Sequence, residues 1–175
     1  MIMRIVIFLL LIASPILWSQ SHNQQNEEHD LLHHKVFLKY GLVYVHAGHN
    51  EGEHESTGIL IAAYGAGYSY RINHKWSLAL EFSLESGNYF IHEDIQRENL
   101  FKIVAVGGYE LIKHWGLFFG GGIEIEKHKN YAIARIGTEY VFPIGKDWAI
   151  APILTFDHKV DYTSWEFSVG LSKSF

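Results

Sequence analysis

The sequence predicts an all-β protein, an eight-stranded antiparallel up-and-down transmembrane β-barrel, and three observations carry that reading. From Lys35 onward large apolar residues alternate with small or charged ones, as in Trp76-Ser77-Leu78-Ala79-Leu80-Glu81-Phe82-Ser83-Leu84. This is the period of a strand whose two faces meet different surroundings. A tight polar turn flanked by aromatics recurs three times, at Tyr70-Arg71-Ile72-Asn73-His74-Lys75-Trp76, at Tyr109-Glu110-Leu111-Ile112-Lys113-His114-Trp115, and between Tyr140 and Trp148. Longer, more polar connections lie between these turns, so short turns collect at one end of a barrel and long loops at the other.

Taken in order, the chain opens on residues 1–19, with a lone cation at Arg4, an apolar run from Ile5 to Ala13, Pro15, and small residues near Ser19. This is the pattern of a secretory signal peptide, removed from the mature protein and too short for a transmembrane helix. No other apolar run could span a bilayer as a helix, so any insertion uses strands. The chain has no cysteine, hence no disulfide and no lipid-anchored N-terminal cysteine. Residues 20–34, rich in Gln, Asn, Glu and His, are expected to be a flexible polar lead-in. The barrel then occupies 35–175, in runs at about 35–46, 58–71, 75–91, 99–112, 115–126, 130–142, 148–158 and 164–175. Short connections fall near 72–74, 113–114 and 143–147, and longer ones near 47–57, 92–98, 127–129 and 159–163. In outer-membrane barrels the short turns face the periplasm, which puts His49, Glu51, Glu53, His54 and Glu55 outside the cell.

Alternation alone does not say which face is the interior. One face carries Val36, Leu38, Tyr40, Leu42 and Tyr44, then Trp76, Leu78, Leu80, Phe82 and Leu84, then further bulky residues to Ile125. The other interleaves Gly65, Gly67, Ser69, Ser77, Ala79, Ser83, Gly120 and Gly122 with Lys39, Arg71, Glu81, Glu85, Lys102, Glu110, Glu124, Arg135, Glu139 and Glu166. The interior of an eight-stranded barrel is only wide enough for side chains to fill it. Small residues and paired charges fit there and the bulky set does not, so the bulky face meets lipid. Trp76, Trp115 and Trp148 after the short turns, with Tyr70, Tyr109 and Tyr140 before them, then form an interfacial girdle. Cross-strand packing of hairpin aromatics is the alternative account.

In the last run Trp165, Phe167, Val169, Leu171 and Phe175 share one face, and Ser168, Gly170, Ser172 and Ser174 the other. With this terminus, the alternation and the turn-flanking aromatics, the chain from Lys35 to Phe175 resembles the small eight-stranded outer-membrane β-barrel proteins of the OmpA/OmpX-like type. Lys173 departs from that pattern, where an apolar or aromatic residue is usual. The resemblance implies localisation in the outer membrane, lipid as the surrounding partner, a monomer, and recognition of the terminal Phe175 by the outer-membrane barrel assembly machinery. Some barrels of this kind remove acyl chains from lipid A with a Ser-His-acid set, placing a histidine two residues before the serine. No His-x-Ser stands near His158, Ser164 or Ser168, so no activated nucleophile is proposed.

The net charge of −5 excludes a nucleic-acid footprint. The inward charges are expected to pair, with four cations, Lys39, Arg71, Lys102 and Arg135, against a larger number of acids. The expected function is therefore non-enzymatic, structural or surface-interacting through the outer loops, with a porin-like narrow pore or metal binding as alternatives. No cofactor motif is present. Of the twelve histidines, His49 and His54 flank Glu51 in a loop of imidazoles and carboxylates, a donor set for loop-bound zinc or copper, although no fixed metal-binding spacing occurs.

Overall fold

The computed structural model describes residues 32–50, 58–91, 95–127 and 129–175. The expected signal peptide and most of the lead-in lie outside the described residues. Eight strands build the wall: β1 (His34–Val45), β2 (Ile59–Arg71), β3 (Trp76–Ile91), β4 (Ile95–Ile112), β5 (Trp115–Ile125), β6 (Tyr131–Tyr140), β7 (Trp148–His158) and β8 (Thr163–Ser174). Each pairs antiparallel with the next in sequence. β8 returns to β1 over the register Lys35↔Ser174 to Val45↔Ser164, which closes the sheet and removes its edges.

The wall is apolar outside. Leu38, Leu80, Phe119, Leu154 and Phe167 are all exposed, as are most of the other bulky residues of their faces. Along β3 this band runs from Trp76 to Leu84, between the short turn and Ser86, and at about 3.3 Å per residue on a tilted strand it matches the apolar band of a membrane barrel. The turn-flanking tryptophans stand exposed at the short-turn end, in cross-strand pairs with neighbouring side chains. Trp76 packs on Tyr109 with ring centroids 4.8 Å apart, Trp115 is registered against Tyr140, and Lys173 sets its Nζ 5.6 Å from the centre of the Trp148 ring. The lysine that breaks the apolar pattern of β8 thus lays its stem along the wall and its charge at the interface.

The inner face differs from expectation at both ends. Near the short turns Phe37 and Phe118 point inward and are accommodated by glycine: a Cβ on Gly67 would collide with the Phe37 ring, and one on Gly137 with the Phe118 ring. At the long-loop end Val43, Val45, Ile61, Tyr89, Ile91, Leu100, Tyr131 and Tyr162 form a buried apolar cluster. The interior is therefore not uniformly small and charged, because a side chain beyond the lipid band can be apolar on either face. Gly120 and Gly122 meet a different constraint, since a Cβ at either would strike the carbonyl oxygen of Ala105 or Ile103 on β4.

The connection expected at 92–98 is instead mostly strand, with β3 and β4 paired as far as Ile91↔Ile95. The register shifts between Glu85 and Asn88, and Asn99 adopts a left-handed φ of 47°, which asparagine tolerates better than most residues. The bend flips the alternation of β4. Counting by twos from Lys102 puts Arg97 on the outer wall, yet Arg97 is fully buried. The hairpin rises past the apolar band, and Gly48–His49 adds a short strand to its edge opposite Phe90 and Ile91.

If the bulky face meets lipid, an arginine at Leu80 or Phe119, near mid-band, should lower unfolding free energy in bilayers by about 2–4 kcal/mol, as lipid-facing arginines do at the midplane. Spin labels at Leu80 and Ser77 check the assignment. The Leu80 label should be accessible to a lipid-soluble quencher and the Ser77 label shielded, and the reverse pattern would mean a barrel with its apolar face inside.

Candidate functional site

The most chemically dense region is the lumen, where alternation delivers charged side chains from six strands into one layer. Arg135 of β6 is the hub. Its Nε and Nη2 donate to Asp157 Oδ1 and Oδ2 at 2.6 and 2.8 Å, and its Nη1 donates to Glu81 Oε1 at 2.6 Å. Lys39 of β1 bridges Glu81 and Glu166, both at 2.7 Å. Lys102 of β4 lies 3.0 Å from Asp157 and is also paired with Glu85. The result is an alternating file, Glu166–Lys39–Glu81–Arg135–Asp157–Lys102–Glu85, in which each cation holds two carboxylates. Closer to the long loops a second set takes over. Arg97 pairs with Glu124 and, at 3.3 Å, with Glu126, and it donates to the Lys129 carbonyl at 2.7 Å. Lys159 lies 3.2 Å from Glu124 and donates to Ser164 Oγ at 2.9 Å.

Three of the four expected lumenal cations, Lys39, Lys102 and Arg135, are where the alternation put them. Arg71 is not: it sits at the open short-turn rim and is exposed. Arg97 and Lys159 take its place among the buried cations, one brought in by the bend at Asn99 and the other just beyond the end of β7. Glu139, expected inside, lies part-exposed near the short turns, 3.7 Å from Lys35.

The second region is the cap at the long-loop end. The apolar cluster lies directly under it and takes its members from β1, β2, β3, β4 and β6 and from Tyr162. Arg97 stacks its guanidinium over Tyr131, 4.7 Å from the ring centre, and Lys159 sets its ammonium over Tyr162 at 4.1 Å. Above them Asp161 accepts hydrogen bonds from Lys129 Nζ at 2.7 Å and from Tyr131 OH at 2.6 Å, tying two loops together. The hydrogen bond from Lys129 to Asp161 raises the lysine's pKa from its ordinary value.

Of the metal-ligand candidates, His49 is described, and it is not solvated. It is 8 % exposed and stacks on Phe90 with ring centroids 5.9 Å apart, while its Nδ1 has no partner among the described residues. Glu51 and His54 lie outside the described residues, and no group of three metal-binding side chains occurs among those described. Ser164 and His158 point to opposite faces of the wall, the serine buried and the histidine exposed.

No protein-family model and no curated protein matches the sequence. Solved structures do match in fold. Ail, the attachment invasion locus protein of Yersinia pestis, is 12% identical with a TM-score of 0.52, over 82% of this chain and 99% of that one. Neisserial surface protein A is 10% identical with a TM-score of 0.58, over 81% and 97%. The N-terminal β-barrel domain of Pseudomonas aeruginosa OprF is 14% identical with a TM-score of 0.50, over 82% and 98%. At these identities the likeness is one of fold. Together with the apolar outer wall and polar lumen, that fold is an outer-membrane one, and the chain spans the outer membrane with its eight strands.

Removing one partner from a buried ion pair leaves an uncompensated charge and costs about 3–5 kcal/mol, whereas replacing the whole group by apolar residues of similar volume is often neutral. Arg135→Met should therefore destabilise the barrel by that amount in urea titrations of protein folded in detergent or bilayers. The triple change Arg135→Met, Asp157→Leu, Glu81→Leu should recover part of the loss. Equal stability of Arg135→Met and the parent would show that the file is not the electrostatic hub.

Proposed function

We propose that the chain is a non-enzymatic surface-interaction protein, and that its working part is the capped long-loop end. The carrying observation is that ordered structure continues past the lipid band. β3 and β4 extend to Ile91 and Ile95, Gly48–His49 adds to them, and the cluster beneath is packed as a core. A barrel needs none of this to cross a membrane, and ordering it costs about 1–2 kcal/mol of backbone entropy per residue. A rigid platform lowers the ordering cost of binding a partner.

The lumen argues against the pore alternative. Its charges are paired, and the charged layer is bracketed by Phe37 and Phe118 on one side and by the apolar cluster on the other. An ion crossing it would have to shed water without meeting a continuous polar path. The opposed faces of Ser164 and His158, and the pairing of that serine with Lys159, support a non-enzymatic role.

The charge of the platform narrows the partner. The connection between β1 and β2 carries Glu51, Glu53 and Glu55, and that between β3 and β4 carries Glu93 and Asp94, with no lysine or arginine in either. Ail has been crystallised with a heparin analogue, sucrose octasulfate, but acidic connections of this kind repel a polyanion and select a cationic partner. Intact cells displaying the protein should retain oligolysine in a salt-sensitive way and should not retain heparin. Replacing residues 51–57 by a Gly-Ser segment should abolish retention while the barrel remains folded and heat-modifiable on gels. Retention that survives the replacement would remove this loop from the binding surface.

Metal binding is a second reading, favoured by the buried Nδ1 of His49. His49 with Glu51 and His54 would supply the ligands, and zinc is the probe. Because imidazole binds metal only when neutral, affinity should fall as the solution is acidified. Calorimetric titration of the detergent-solubilised protein should show that fall and its loss in His49→Ala/His54→Ala. Equal binding by parent and variant would exclude these histidines.

A further inference from the structure

The rim at the short-turn end has a feature that neither the fold nor the proposed function uses. Arg71, Lys75, Lys113, Lys146 and Lys173 are all exposed there. They are spread around the circumference: the β2–β3 turn carries Arg71 and Lys75, the β4–β5 turn Lys113, the β6–β7 turn Lys146, and β8 carries Lys173. In each turn a lysine comes one or two residues before the girdle tryptophan, as Lys75-Trp76, Lys113-His114-Trp115 and Lys146-Asp147-Trp148. Lys173 reaches the same girdle from across the sheet: it is registered against Trp148, and its ammonium stands over that indole at 5.6 Å, at the depth where hydrocarbon gives way to headgroups.

The acids of this end do not cancel the cations. Glu110 is turned to accept a hydrogen bond from the His114 backbone N–H at 3.2 Å, Glu139 faces Lys35, and both are part-buried on the lumenal side of the wall. Asp147 is the remaining described carboxylate side chain of the rim. The rim also carries His33, His34, His74 and His114, of which His34 is packed against Tyr68, Tyr70 and Phe175. The acids of the rim are thus engaged or part-buried, while its five cations are exposed, Lys173 beside an interfacial aromatic. The long-loop end has the opposite sign.

We infer that this rim is a binding surface for anionic phospholipid headgroups, of the phosphatidylglycerol type, in the leaflet at the short-turn end. The tryptophan and lysine of each turn are spaced to take the glycerol backbone and the phosphate of one lipid, the indole lying at the acyl boundary and the ammonium on the phosphate. A ring of such positions would fix the depth and orientation of the barrel as well as recruit lipid.

Tryptophan quenching on the folded, reconstituted protein tests this. In a Trp18→Phe, Trp165→Phe background the remaining tryptophans, Trp76, Trp115 and Trp148, all report from the rim. Vesicles of phosphatidylcholine containing dibrominated phosphatidylglycerol, compared with dibrominated phosphatidylcholine, give a relative association constant. A lysine at a membrane surface favours an anionic lipid by about fivefold, so the expected preference is of that order at low salt and close to one in about 1 M salt. Changing the five cations to glutamine should bring it to one at all salt concentrations, with circular dichroism and heat-modifiability checking that the variant is folded. A companion protein keeping Trp165 alone, at the long-loop end, should show no preference. A rim ratio of one in the parent, an unchanged ratio in the glutamine variant, or an equal preference at Trp165 would each overturn the inference. So would salt-sensitive co-sedimentation with purified peptidoglycan in the absence of any lipid preference, because the rim would then serve a cell-wall polyanion.

Discussion

The rest of the structure depends on the satisfaction of charge inside a wall that offers no solvent. Arg135 is where that constraint is met most fully, since it takes Glu81 from β3 across the lumen and Asp157 from the neighbouring β7. Through those two carboxylates the file reaches Lys39, Lys102, Glu85 and Glu166, and so joins β1, β3, β4, β6, β7 and β8. Buried ion pairs add little net stability compared with well-packed apolar groups, so the value of this file lies in specificity. A one-residue slip of any strand exchanges its faces. For β3 a slip would bring Glu81 and Glu85 into hydrocarbon and leave Arg135 and Lys102 short of partners. Paired charge inside the barrel makes the correct register the only one without several buried, unpaired ions.

The same constraint explains what the sequence made legible. Within the lipid band each strand must keep one face apolar and one face small or charged, so a period of two is enforced residue by residue, and strands such as β7 and β3 were readable nearly to their ends. Lys39, Lys102 and Arg135 were found by that parity alone. Outside the band the enforcement stops. Phe37, Val43 and Tyr89 can be apolar and inward because nothing there requires otherwise, and residues 92–98 read as a polar connection although Ile95 to Glu98 belong to β4. Arg97 was hidden for a specific reason, the left-handed Asn99 that reverses parity before it. Arg71 failed in the other direction, having the right parity for the lumen but lying beyond its end. A left-handed asparagine inside a strand leaves almost no trace in one sequence, so this part of the candidate site is not legible there.

The two ends of the barrel follow from different economies of order. At the short-turn end the chain reverses in a few residues, as where Lys113 and His114 form a two-residue turn with His114 at a φ of 73°, and function can reside only in side chains projecting from a rigid rim. At the long-loop end the chain is free of that limit. There the structure uses length to build a second, apolar core on top of the lumen, joined to the charged layer by Arg97 and Lys159 with their tyrosine partners.

That join has a consequence for how the loops can act. Because Arg97 reaches down to Glu124 and Glu126 while holding the Lys129 carbonyl, the β3–β4 hairpin and the β5–β6 connection are tied to the same buried charges. Asp161 adds the β7–β8 connection through Lys129 and Tyr131. Moving one of these connections alone would expose part of the apolar cluster and strip a partner from a buried ion, two costs that rise together. The described parts of the cap therefore act as one unit with the barrel. Gly58 donates its backbone N–H to the Gly48 carbonyl at 3.1 Å, and Gly48–His49 pairs with the hairpin's edge, so the described residues on either side of 51–57 share that rigidity.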